Sequence, residues 1–363
     1  MLVKKNKIFV LESLRGIAAI CVALFHYPST SFLYFQNGHF AVYFFFVLSG
    51  FVISLNYAEK INNFNDLLSF QIKRFWRLYP THFFVLFIIL FIQILKYFAV
   101  NLIGLKSGLI PFGDWYTFKD FIANLFLIQA IFNYFYVFSW NGAAWSISTE
   151  FYVYIIFGIM FMITSKKIIP FIILIYILNL NLNFFSINYF DNFLSIFNGL
   201  FFTCIFYFSV GCILYYVYMY VYNKITLNNF FSFSFFIFLL FLKYFYENLF
   251  IKYNAIIFAL IILVSVLSDK KTYVYKFLNL KSLVFLGTIS YSFYLIHQTV
   301  IYLFIQFCKF ILKIDFLVDI KSGSVSNTGN IFYDTIIHLN YIVLTVLISY
   351  LIFKFIEEPL RKK

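Results

Sequence analysis

Long apolar segments separated by short polar stretches run along the whole chain. An apolar segment of about 20 residues, folded as a helix, matches the thickness of a bilayer core. We therefore predict an all-α, polytopic membrane protein with about ten transmembrane helices, forming a single transmembrane domain over residues 1–363 with no appended soluble domain. The predicted helices cover residues 9–27, 38–57, 80–100, 142–164, 168–186, 194–221, 229–246, 251–268, 283–310 and 335–356.

One further apolar stretch, residues 119–137, is interrupted by Asn124, Gln129 and Asn133. We predict a re-entrant or interfacial segment here, since a spanning helix would reverse the orientation of every later helix. With ten helices, most lysines and arginines fall on the side of the N-terminus. The positive-inside rule assigns that side to the cytoplasm, so both termini are predicted to be cytoplasmic.

The first predicted helix carries ionisable side chains at a meaningful spacing. Arg15 and His26 are eleven residues apart, which places them within about 20° of one helix face and about 16 Å apart along the axis. Glu12 lies one turn before Arg15 and can pair with it. Ionisable groups within a membrane are costly and tend to mark function. The alternative is a structural Glu12–Arg15 pair, with His26 at the opposite interface.

Arg74 and Arg77 lie one turn apart just before Pro80, which suits the start of the third predicted helix. This prediction places both arginines in a loop at the cytoplasmic edge. Paired guanidinium groups suit phosphate better than point charges do. Ordinary positive-inside anchoring is the alternative.

Further polar positions lie within the predicted helices or directly after the last one. Glu150 is predicted to enter the membrane from the outer side, where His26 ends its helix, so this carboxylate could orient the imidazole. A purely structural role for Glu150 is the alternative. Ser49-Gly50 favours a close helix contact or a kink over a substrate contact. A single membrane histidine such as His297 is more often a hydrogen-bonded interior residue than a catalyst, and Glu357 is interpreted as part of a structural cap.

Composition narrows the class of protein. With 63% hydrophobic and 11% charged residues and a mean hydropathy of +0.91, the chain is not a soluble domain. The formal net charge of +13 does not indicate nucleic-acid binding, because the basic residues lie in short loops between helices. The four cysteines lie in apolar segments without CxxC spacing, and no HExxH occurs, so neither a disulfide framework nor a metal site is predicted.

Five motifs in this order resemble the acyltransferase 3 family of bacterial integral-membrane O-acyltransferases, and the resemblance covers nearly the whole chain. The motifs are Arg15 and His26 with ten residues between them, Ser49-Gly50-Phe51, Arg74 to Pro80, Trp145-Ser146 to Glu150, and Tyr291 to His297. One departure is Lys73, where the family often has a third arginine; the charge is kept and the fork geometry is lost.

The resemblance implies an acyl-CoA donor, with acetyl-CoA expected, and as acceptor a sugar hydroxyl of a surface polysaccharide, of lipopolysaccharide or of a lipid-linked precursor. It also implies a bacterial inner-membrane location among membrane lipids, with no permanently bound cofactor. Combined with the residues, it suggests His26, Arg15 and Glu150 as the catalytic residues, with His26 as general base oriented by Glu150. Arg74 and Arg77, together with Arg15, are expected to hold the donor phosphates. The expected supporting residues are Glu12, Ser49, Gly50, Trp145, Ser146, Tyr291 and His297.

Two other functions remain open from the sequence. A transporter or flippase of lipid-linked sugars would also line a path with polar intramembrane residues. A lipid-facing structural or sensor protein would need Glu12 and Arg15 only as a pair.

Overall fold

The computed structural model describes residues 9–27, 38–104, 110–113, 115–163, 171–172, 174, 196–245, 247–314, 317–318, 325–328 and 330–361. The helices are α1 (Phe9–His26), α2 (Phe40–Tyr57), α3 (Phe64–Ile103), α4 (Phe118–Leu125), α5 (Trp145–Ile163), α6 (Gly199–Val221), α7 (Asn229–Phe245), α8 (Glu247–Leu267), α9 (Tyr273–Leu278), α10 (Lys281–Phe310), α11 (Ile331–Ile352) and α12 (Glu358–Arg361). Two short strands, β1 (Leu317–Val318) and β2 (Val325–Asn327), pair antiparallel between α10 and α11.

The prediction of an all-α, polytopic membrane protein is confirmed. Within the described residues, seven helices are long and apolar enough to cross a bilayer, namely α1, α2, α3, α5, α6, α10 and α11. The two predicted helices over 229–246 and 251–268 appear as α7, which has 17 residues, and α8, which is kinked at Tyr253. The predicted helix over 168–186 lies mostly outside the described residues. The total of ten spanning helices therefore stays a prediction.

The predicted start of the third helix at Pro80 is wrong. Helix α3 begins at Phe64, continues through Pro80 and contains 40 residues, a length of about 60 Å. Its first turn is capped by Asn63, whose side chain accepts a hydrogen bond from the backbone N–H of Asp66. The pair Asn63 and Asp66 is a capping signal in the sequence that outweighs the proline, and it puts Arg74 and Arg77 inside a helix.

The stretch 119–137 does not form a spanning helix, as predicted. Helix α4 has eight residues and is about 12 Å long, well short of the roughly 30 Å of a bilayer core. It is capped by Thr117, and the buried carboxylate of Asp120 accepts a hydrogen bond from the N–H of Tyr136 at 3.1 Å. Turns follow α4; their residues around 127–131 are mostly buried, whereas Tyr134, Tyr136 and Phe138 are exposed.

Two glycine crossings bring the central helices together. Helix α1 packs along α10, and a Cβ at Gly287 would collide with the carbonyl oxygen of Glu12. Helix α2 packs along α6, where a Cβ at Gly50 would collide with the carbonyl oxygen of Phe208 and one at Gly211 with that of Val47. Small residues permit such close helix contacts, so the predicted close approach at Gly50 is confirmed.

Candidate functional site

One pocket lies between α1, α2, α3, α5 and α10, and we name it the arginine pocket. Its polar lining consists of Arg15, Ser49, Arg74, Arg77, Ser146, Glu150, Tyr154, Ser290, Tyr291 and Tyr294. The cavity measures about 60 Å³, which gives room for several water molecules. Most of the polar residues predicted from the sequence therefore meet in one place, although they come from separate helices.

The carboxylates at the arginine pocket are engaged by neighbouring groups. Glu150 accepts a hydrogen bond from the Ser49 hydroxyl at 2.5 Å and another from the hydroxyl of Tyr154. Glu12, one turn before Arg15 on α1, lies 3.7 Å from its guanidinium, so the predicted pair is confirmed. Ser49, which the sequence associated with helix packing, points instead into the site.

Arg74 is an almost fully buried cation with unused donors. Its side chain is 9% exposed, its Nη2 donates to the Tyr57 hydroxyl at 3.2 Å, and its guanidinium lies 5.3 Å from the centre of the Tyr57 ring. Its Nε finds no hydrogen-bond acceptor in the described part of the chain. Neither Arg74 nor Arg77 has a carboxylate of the described residues within 4 Å. Both guanidinium groups can therefore bind an anionic ligand.

The C-terminal turn packs beside the arginine pocket, against the helix that carries Arg77. A π-helical turn, Phe353–Glu357, continues α11 and packs with α12 against α3. Glu357 is 3% exposed and accepts a hydrogen bond from the Ser292 hydroxyl at 2.6 Å. It interacts electrostatically with Arg77, and so does Arg361. The sequence suggested only a structural cap here. The extra residue of the π-turn, which has no evident sequence signal, brings Glu357 and Arg361 close to Arg77.

Two tyrosines and one serine of the predicted motifs join α10 to its neighbours. The Tyr291 hydroxyl donates to the carbonyl oxygen of Leu78 at 2.6 Å, next to Arg77 on α3. Ser146 and Tyr294 share a hydrogen bond of 2.8 Å at the boundary of the arginine pocket. These bonds hold α3, α5 and α10 in fixed register around the cavity. Trp145 lies outside the lining and packs against the Phe46 ring.

A second, wider pocket lies at the other end of α1, and we name it the histidine pocket. Its volume is about 450 Å³, and His26 is exposed to it. The lining is His26, Ile89, Ile92, Gln93, Trp115, Tyr116, Tyr136, Phe138, Trp140, Asn141, Gly142, Gln298, Thr299, Ile301 and Tyr302. No carboxylate of the described residues lines it, so the surroundings of His26 are aromatic, aliphatic and neutral polar.

His26 contacts two residues of α10. The amide Nε2 of Gln298 lies 3.3 Å from Nε2 of His26, and the His297 ring centre lies 5.2 Å from that of His26. His297 is buried, with its Nδ1 2.6 Å from the Tyr294 carbonyl oxygen and its Nε2 without a partner among the described residues. The sequence did not single out Gln298; its position directly after the histidine motif was the available signal.

The predicted contact between Glu150 and His26 is not formed. Gly142, at the start of the turn that leads into α5, lies beside the Gln298 side chain and therefore at the level of His26. Glu150 follows eight residues later, a distance of about 12 Å along the helix. The carboxylate therefore enters from the His26 end, as predicted, but reaches the depth of Arg15.

A family model described as an acyltransferase domain matches residues 8–354 of the chain. The chain belongs to the acyltransferase 3 family. No curated protein and no solved structure matches the chain significantly. Membership of the family makes the protein a membrane acyltransferase, so the arginine and histidine pockets are the candidate sites for an acyl donor and for the transfer step.

Proposed function

We propose that this protein is an O-acyltransferase of the bacterial inner membrane. It transfers an acyl group, in our proposal acetyl, from acyl-CoA to a sugar hydroxyl of a surface polysaccharide, of lipopolysaccharide or of a lipid-linked precursor. The observation that carries the proposal is the pairing of two different pockets along α1. One end has Arg74 and Arg77 without a described carboxylate within 4 Å, and the other has an exposed histidine.

The arginine pocket suits the anionic part of the donor. Arg74 and Arg77 offer guanidinium forks, which bind phosphate oxygens in a bidentate manner. The buried Nε–H of Arg74 has no hydrogen-bond acceptor among the described residues and can donate to a ligand. Arg15 adds a third guanidinium on the α1 side of the cavity. In our proposal this end of the molecule is cytoplasmic, where acyl-CoA is available, and both termini lie on that side.

The acyl group must travel from the arginine pocket to His26, about 16 Å further along α1. A long, flexible pantetheine arm suits this path along the helix. Tyr294 lies between the two pockets: its hydroxyl bonds Ser146 at the arginine pocket, and its ring centre lies 5.8 Å from that of His297. We propose that the arm passes Tyr294 on its way to His26.

At His26 the proposed chemistry is general base catalysis. The imidazole takes the proton of the acceptor hydroxyl, the oxygen attacks the thioester carbonyl carbon, the C–S bond breaks, and the CoA thiolate leaves and is protonated. A variant in which His26 carries the acyl group covalently uses the same geometry. The histidine pocket supports a sugar acceptor, because its aromatic faces and the amide of Gln298 suit a hydroxyl-rich ring.

The proposal is tested by comparing surface glycans by NMR and mass spectrometry. A strain lacking the protein is complemented with the wild type or with His26→Ala, and protein levels are matched in the membrane fraction. We expect the added acyl mass and the O-acyl resonances only with the wild type.

Equal acylation in all strains, together with an altered amount or chain length of the glycan, would contradict the enzyme and support a transporter. Acylation restored by His26→Ala at normal level would refute the role of His26 while leaving the enzyme itself in place.

A further inference from the structure

We propose that Arg361 recognises the 3′-phosphate of the acyl-CoA donor, so that the C-terminal turn of the chain is a specificity element of the arginine pocket. This inference rests on the proposed function, since it assigns a further part of the same donor. It gives a binding role to a segment that the sequence indicated only as a cap.

The position of the C-terminal turn is firmly held. In the π-turn Phe353–Glu357 each hydrogen bond spans five residues, which adds one residue to the turn and rotates the residues after it about the helix axis. Glu357 is thereby buried against α10, where the Ser292 hydroxyl donates to its Oε2. Helix α12 then packs on α3, which carries Arg77. A buried, hydrogen-bonded carboxylate therefore fixes the element from which Arg361 projects.

The charges at this end of the molecule leave guanidinium groups in excess. Four arginines, Arg15, Arg74, Arg77 and Arg361, lie at this end, and all but Arg74 interact with one or more of the carboxylates of Glu12, Glu150 and Glu357. Glu12 pairs with Arg15, one of these four arginines, and Glu150 accepts hydrogen bonds from two hydroxyls, so that no carboxylate of the described residues lies within 4 Å of Arg74, Arg77 or Arg361. Arg361 lies one helical turn after Glu357, which bonds Ser292 on α10. The adjacent Tyr291 bonds the carbonyl oxygen of Leu78, the residue after Arg77, so the turn that carries Arg361 lies close to Arg77. Two neighbouring like charges favour the binding of an anion between or beside them.

The burial of the three arginines matches the order of phosphates on the donor. Arg74 is buried and Arg77 is half-buried, and both line the cavity, whereas Arg361 is exposed and lies outside that lining. Acyl-CoA carries a diphosphate in the chain that leads to the thioester and a separate phosphate on the ribose, away from that chain. With the diphosphate at Arg74 and Arg77, the remote phosphate stays outside the cavity, where the exposed Arg361 can bind it.

The test compares acetyl-CoA with acetyl-3′-dephospho-CoA as donors for the purified full-length protein, measuring kcat/KM through the released thiol. We expect the wild type to prefer acetyl-CoA about tenfold, as for one charge-assisted phosphate contact at an exposed position. Arg361→Ala should lose this preference by raising KM for acetyl-CoA alone. Arg361→Lys keeps the charge without the fork and should retain part of it.

Two further variants make the result specific. Lys354→Ala removes another exposed cation from the same turn, one that lies over the Tyr350 ring, and should leave the preference unchanged. Arg74→Ala should weaken both donors to a similar extent, because both retain the diphosphate.

An Arg361→Ala protein that still prefers acetyl-CoA as the wild type does would overturn the inference. A wild type that turns over both donors equally would overturn it as well. A wild type that uses neither donor, while glycan acylation in cells depends on the protein, would instead refute acyl-CoA as the donor of the proposed function. Because the Arg361 side chain is exposed, its variants should keep the thermal stability of the wild type, which is measured alongside.

Discussion

The arginine pocket and the histidine pocket lie along the same helix and have opposite physical character. The first is narrow, built from charged groups, and lined by residues of five helices. The second is several times larger, holds an exposed imidazole, and has no described carboxylate in its lining. A narrow charged pocket suits the firm binding of an anion, and a wide neutral one suits a bulky acceptor whose proton must be removed.

The two pockets also differ in the groups that bond or contact their polar side chains. In and beside the arginine pocket, hydroxyls of Ser49, Tyr154 and Ser292 bond the carboxylates of Glu150 and Glu357, neither of which lies within 4 Å of Arg74 or Arg77. Buried charges are expensive unless they are paired or hydrogen-bonded, so these hydroxyls allow charge to persist inside the membrane domain. At His26 the contacts are neutral, with Gln298 and His297. Variants of the two pockets are therefore expected to change different kinetic constants.

The largest expected effect is that of His26→Ala on turnover. Removing a general base typically lowers the rate by about 10²–10⁴-fold, and KM for the acyl donor should change little because the donor phosphates bind at the other end of α1. The measurement is the rate of thiol release by purified protein. Asn340→Ala is the control, since it removes an exposed amide from α11 that bonds only its own helix. If His26→Ala raised KM for the donor and left kcat unchanged, the two pockets would not have the separate roles that we propose.

The opposite signature is expected for Arg74→Ala. The loss of a buried guanidinium from the phosphate site should raise KM for acyl-CoA about tenfold or more and leave kcat within a few-fold. Arg74→Lys should restore part of the affinity, because it keeps the charge but not the fork. A fall in kcat with unchanged KM would show that Arg74 serves the transfer step instead of the donor.

Widening the crossing of α1 and α10 should impair both pockets. In Gly287→Ala the new methyl group meets the carbonyl oxygen of Glu12, so the helices must separate; we expect a loss of about 1–3 kcal/mol in stability and reduced activity. Thermal unfolding of the purified protein measures the loss. Gly199→Ala is the matched control, because a Cβ there meets no atom within 4 Å. Equal unfolding temperatures for the two variants would argue against a close crossing at Gly287.

The smallest effect is expected for Glu150→Gln. The amide can still accept from Ser49 and Tyr154, so the local structure should hold, while the loss of one negative charge near Arg15 should alter donor KM only a few-fold. Steady-state kinetics with varied acyl-CoA provide the measurement. A drop of kcat as large as that of His26→Ala would mean that Glu150 acts on His26 after all, through a rearrangement that joins the two pockets.

Much of this architecture follows from the sequence alone. Apolar segments of bilayer length require helices, because only a helix satisfies its own backbone hydrogen bonds in lipid. The spacing of Glu12, Arg15 and His26 places them on one helix, and the helix α1 and the Glu12–Arg15 pair are both observed. These features depend only on residues that are close together in the sequence, so the sequence alone is enough to predict them.

Other features depended on packing between distant segments. The sequence placed Glu150 beside His26, since it fixed the side of entry but not the depth at which α5 lies against α1. It placed Arg74 and Arg77 in a loop, because Pro80 was given more weight than the cap at Asn63. The convergence of Glu357 and Arg361 on Arg77 depends on one extra residue in a π-turn. Helical periodicity determines which residues share a face, whereas glycine crossings and close hydrogen bonds between helices determine which faces meet and at what depth; only the tertiary structure supplies that information.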